Sequence, residues 1–157
     1  MKVYEVTPEV DANALLSGAG FADAFRIEIE GTTLAARQAA ERIFARSPRW
    51  VEALVNLRNL MVAPFGLKTS GAAEPGARGT IGLFPIVSET ADRLVLGFDD
   101  SHLDFRVIVD VARAGNGQEV TTTTLVRTHN LLGRIYLTII LPFHRLIARA
   151  IMRQVAA

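Results

Sequence analysis

The chain has 157 residues, half of them hydrophobic, with a formal net charge of +1 and no cysteine. That length suits one domain, residues 1–157, able to bury most of the apolar surface its unfolded form exposes, and so apolar a composition excludes extended disorder. The missing thiol excludes disulfides, thiolate zinc sites and cysteine nucleophiles.

Residues 1–10 carry Glu5 and Glu9 without an apolar run, unlike a signal peptide, so cytoplasmic residence is the expectation. Residues 24–30 alternate Phe25, Ile27 and Ile29 with Arg26, Glu28 and Glu30, which predicts a strand with one buried face. Thr32 or Thr33 is placed to cap a helix whose Ala36, Ala40, Ile43 and Phe44 share one face, with Arg37, Glu41 and Arg42 outward. Ser47-Pro48 starts a second short helix, in which Trp50, Leu54, Leu57 and Met61 form a stripe. Residues 69–80 are small and polar and predict a loop beside one mouth of any cavity.

Four strands follow, at residues 81–88, 93–98, 103–112 and 119–128, the last two joined by a hairpin at Gly115-Asn116-Gly117. Asn130 caps a final helix over residues 131–155. Its stripe of Ile135, Ile139, Phe143 and Leu146 is expected to face the sheet, with Arg145, Arg149 and Arg153 in solvent. Pro142 is expected to kink or part this helix. The unbroken apolar run, residues 135–143, is far short of the roughly 20 residues a bilayer core needs.

The element order predicts an α+β fold of helix-grip type. A curved antiparallel sheet wraps around a long C-terminal helix, and two short helices follow the first strand. Three stretches, residues 97–106 (GFDDSHLDFR), 129–136 (HNLLGRIY) and 142–145 (PFHR), resemble a bacterial domain family of unknown function within the START-related, Bet v 1-like superfamily (SRPBCC). That resemblance implies a cavity between sheet and long helix holding an apolar or amphipathic molecule. It carries over no site residue.

Gly71, Gly76 and Gly79 imitate a phosphate loop, but Ala77 and Arg78 stand where lysine and a hydroxyl residue are needed. No G-x-S-x-G elbow and no H-E-x-x-H pair occurs, so no catalytic residue, metal site or cofactor is assigned, and catalysis is not the favoured expectation. The best polar group is His102, Asp104 and Arg106 on one strand beside Arg127 and His129 on the next, with Asp104 placed near Thr128. A carboxylate beside an imidazole can fix its tautomer and raise its basicity. The same residues also suit a solvated strand face of weak charge pairs. Trp50, Leu54, Phe84, Tyr136, Ile140 and His144 complete the expected ligand lining, although Trp50 and Tyr136 sit at helical spacing that favours core packing.

No acid follows Glu119, while Arg127, Arg134, Arg145, Arg149 and Arg153 do. A peripheral contact with anionic membrane through the basic helix is therefore the alternative function. Nucleic acid is not an expected partner, since one arginine ridge without interleaved exposed aromatics is a poor footprint.

Overall fold

The computed structural model describes residues 3–31, 33–44, 80–81, 84–99 and 103–156. The strands are β1 (Tyr4–Val6), β2 (Phe21–Glu30), β3 (Thr80–Ile81), β4 (Phe84–Glu89), β5 (Arg93–Asp99), β6 (Leu103–Ala114) and β7 (Gly117–Thr128). The helices are α1 (Ala12–Leu15), α2 (Ala36–Ile43) and α3 (Leu131–Met152), and a 3₁₀ turn, Arg153–Ala156, continues α3. The strands form one antiparallel sheet in the order β1-β2-β7-β6-β5-β4-β3. This is the expected α+β architecture, with a long C-terminal helix against a sheet. The expected second short helix lies outside the described residues, as does the expected loop at 69–80 except for Thr80, which belongs to β3.

The spine of the sheet is the β6–β7 hairpin, paired from Leu103↔Thr128 to Ala114↔Gly117. Gly115 takes the positive φ, 57°, that its tight turn requires. The observed register puts Asp104 opposite Arg127, not Thr128. The two-residue turn is centred between Gly115 and Asn116, half a residue before Asn116, and that shifts every pair by one.

Alternation along the strands creates two faces. Phe25, Ile27, Ile29, Leu94, Leu96 and Val109 look toward the helices and form the main core with α2 and the end of α3. The back face carries a smaller cluster, Leu16, Val95, Ile108 and Leu125, beneath the N-terminal segment. Each such side chain, once buried, stabilises the fold by about 1.5–3 kcal/mol.

Helix α2 buries Ile43 together with Ala36, Ala39 and Ala40, whose small side chains let it approach the sheet closely. It does not begin at a threonine cap. Gln118 accepts a hydrogen bond from Leu34 N (2.7 Å) and donates one to Leu34 O (2.9 Å). Both backbone groups of Leu34 are thereby engaged from β7, and the helix starts only at Ala36, with Ala35 as N-cap.

Helix α3 is capped as expected, Asn130 Oδ1 accepting from Gly133 N at 3.0 Å. It runs as one helix through Pro142 and is not parted there. Its orientation corrects the expectation. Gly133, Ala148 and Met152 are its buried residues, and Val155 follows on the same side. Leu131, Ile135, Ile139, Phe143 and Leu146 are 71%, 47%, 53%, 41% and 59% exposed, so the expected core stripe faces away from the sheet. Arg145, Arg149 and Arg153 are exposed, as expected.

The physical reason is that α3 is apolar on both sides, so periodicity alone does not say which side is buried. Two local features decide it. The small Gly133 and Ala148 permit close packing, and Met152 reaches Thr122, whose hydroxyl lies 2.8 Å from the sulfur. Arg42 Nη1 then donates to Val155 O at 3.0 Å and ties the end of α3 to α2.

Candidate functional site

Strand β2 begins at Phe21, so its alternation continues upstream of Phe25 and places Asp23 on the helix face. Asp23 is only 6% exposed. A buried carboxylate is costly unless paired, and the partner comes from α3. His144 Nε2 lies 3.1 Å from Asp23 Oδ1 and 3.0 Å from Oδ2. Only Oδ1 is held in hydrogen-bonding geometry; Oδ2 is buried and accepts no hydrogen bond from the described residues. Phe21 meets the imidazole edge-on, with ring centroids 6.1 Å apart. With Nε2–H donated to Asp23, Nδ1 is the ring's second hydrogen-bonding nitrogen.

Around this pair the packing is incomplete. From Leu131 to Ile147, Gly133 is the only buried residue of α3. Leu137, Ile140, Leu141 and Ile147 are half-buried, as are Tyr136 and His144. Geometry explains part of this. Thirteen residues of helix from Leu131 to His144 span about 20 Å at 1.5 Å per residue. Asp23 pairs with Thr124, and the four residues of β7 beyond that point cover only about 13 Å. The first turns of α3 therefore reach past the end of the strand beneath them.

A second carboxylate–imidazole pair lies elsewhere. Asp104 is buried on β6, and His129 Nε2 sits 2.9 Å from its Oδ1. Even-numbered β6 residues share the back face with Ile108, so this pair is on the opposite side of the sheet from His144. Arg106 Nη1 donates to Phe105 O at 2.9 Å, and Arg127 Nη1 to Ser17 O at 3.3 Å. These arginines hold backbone. Among the described residues no three His, Asp or Glu side chains are grouped to hold a metal ion.

Residues 15–151 match the family described as a protein of unknown function (DUF2867). The chain belongs to the DUF2867 family. No curated protein matches it.

In this DUF2867 domain the expected site residues divide. Tyr136, Ile140 and His144 come together on α3. Asp104 and His129 pair on the back face, where Arg106 stands two residues along the same strand. Phe84 opens β4 opposite Ile81. Trp50, Leu54 and His102 lie outside the described residues. Asp23 is the residue sequence reasoning missed. Its signal was there: extending the period of Ile29, Ile27 and Phe25 backward puts an acid on the buried face, and a buried acid is the informative exception to hydrophobic patterning.

Proposed function

We propose that the domain binds a small apolar or amphipathic molecule between the sheet and the inner side of α3, near the Asp23–His144 pair. The observation that carries this reading is the half-burial of large apolar residues on α3, Leu137, Ile140, Leu141 and Ile147, beside a buried acid with one oxygen lacking a hydrogen bond among the described residues. Binding sites are largely apolar with a few convergent polar groups, and a buried unsatisfied acceptor calls for a partner. The resemblance to START-related domains, whose members hold such molecules between sheet and long helix, supports the same reading at the level of fold analogy.

The chemistry of the pair sets the class of ligand. Asp23 Oδ2 is an acceptor, so an apolar molecule carrying a hydroxyl or amine fits, and an ionised carboxylate does not. Native mass spectrometry of the gently purified protein tests the proposal. Wild type is expected to carry a small-molecule adduct that Ile140→Trp, which fills the inner side, does not retain. A bare mass for wild type, together with no uptake of added dodecan-1-ol or dodecylamine, refutes it.

A further inference from the structure

The opposite side of α3 is a separate surface. Leu131, Ile135, Ile139, Phe143 and Leu146 recur at helical spacing and are all exposed. Isolated exposed apolar residues are ordinary, whereas five large ones aligned on one helix mark an interaction site. Arg134, Arg145 and Arg149 on the same helix and Arg153 in the turn that continues it are exposed, and neither element carries an acid. Glu5 approaches Arg145 at 3.9 Å, and Arg149 lies over the Phe25 ring at 5.6 Å from its centroid. Neither contact withdraws an arginine from solvent. At the start of α3, Leu131, Arg134, Ile135, Thr138 and Ile139 line a shallow open groove of about 290 Å³. A cation thus stands directly beside apolar side chains.

We infer that this face docks on an anionic lipid bilayer, with the apolar stripe at the level of the upper acyl chains and the arginines among the headgroups. Charge complementarity selects this occupant. A second copy meeting the same face across a two-fold axis would juxtapose two sets of arginines with no helix acid to pair them. A bilayer containing anionic lipid supplies an apolar layer and a negative layer in the required order.

The helix lies along the surface and does not cross it. Leu131–Val155 is long and apolar enough to span, with a mean hydropathy of 1.5 over its most apolar window. But Ala148, Met152 and Val155 belong to the core against the sheet. Spanning would strip them from that core and carry Arg145 and Arg149 into hydrocarbon.

Co-sedimentation of the full chain with phosphatidylcholine vesicles, with and without phosphatidylglycerol, tests the inference. Binding is expected only with phosphatidylglycerol and should weaken as salt is raised. Ile135→Ser with Ile139→Ser should lower affinity by roughly tenfold or more, and Arg134→Gln with Arg153→Gln should flatten the salt dependence. Unchanged thermal unfolding of these variants shows that they fold. Ile140→Trp, on the inner side, should bind vesicles as wild type does, which separates this surface from the ligand site. No binding, equal binding to neutral vesicles, or a lipid-independent dimer broken by the Ile135/Ile139 changes would each overturn it.

Discussion

Truncating α3 on its two sides measures which side the fold uses. Met152 is fully buried, and its sulfur lies against the Thr122 hydroxyl at 2.8 Å. Met152→Ala removes three heavy atoms from a core that cannot fully collapse, which costs about 2–5 kcal/mol. Thr122, itself buried, also loses a neighbour, so the expected value is about 3–4 kcal/mol. Phe143 is a larger side chain, yet 41% of it remains in water. Its truncation should cost about 1 kcal/mol or less, since it opens no enclosed cavity. Urea unfolding followed by circular dichroism resolves these values if the slopes stay equal. In thermal unfolding the midpoint should fall by roughly 6–16 °C for Met152→Ala, at about 2–4 °C per kcal/mol for this size. If Phe143→Ala is as damaging as Met152→Ala, the orientation of α3 described above is wrong.

Other expectations follow from single contacts. Asp23→Ala should destabilise by about 1.5–3 kcal/mol, as for loss of a charge-assisted hydrogen bond, and the His144 imidazole resonances should shift in NMR spectra. Gly97→Ala should cost more than about 2 kcal/mol, because Gly97 has φ 153° and an added Cβ would collide with the Phe105 carbonyl oxygen; an unchanged urea midpoint would contradict this. Arg37 donates to both oxygens of Glu89, at 2.8 and 2.7 Å, and those hydrogen bonds hold the Glu89 carboxyl below its ordinary value. A depressed folded-state value means that its contribution is present above the unfolded value, about 4.3, and fades as pH falls through the lower folded one. NMR titration should therefore give Glu89 a midpoint below the ordinary range in wild type and a normal one in Arg37→Gln.

The strands were legible because their signals are local. Alternation fixed Phe25, Ile27 and Ile29 on one face, and glycines at 115 and 117 around Asn116 fixed the hairpin to within one residue. The single-residue slip moved Asp104 from Thr128 to Arg127. His129 still reached it, because a diagonal neighbour on a strand lies within range of a long side chain. Tyr4–Val6 and Ala12–Leu15 were not foreseen: three residues of edge strand and one helical turn carry too little periodicity to stand out.

The long helix was found and its facing was inverted. Its largest residues form the neatest stripe, and magnitude alone argued for burying them. The fold instead buries Gly133 and Ala148, whose merit is closeness of approach, and recruits His144 to an acid that lay one residue upstream of the expected strand. Asp23 and His144 are 121 residues apart in sequence. No local pattern connects them. Only the β2–β7 pairing and the return of α3 across it bring them together.

The most direct test of the two-sided account of α3 is a titration with the neutral probe N-phenyl-1-naphthylamine in lipid-free buffer, on variants at two adjacent positions. Ile140 is half-buried on the inner side and Ile139 is 53% exposed on the other. Wild type and Ile139→Ser should both take up one probe per chain with similar, saturable fluorescence, and Ile140→Trp should not. Equal loss in both variants, or binding that never saturates in wild type, would contradict the existence of a ligand site on the inner side of α3.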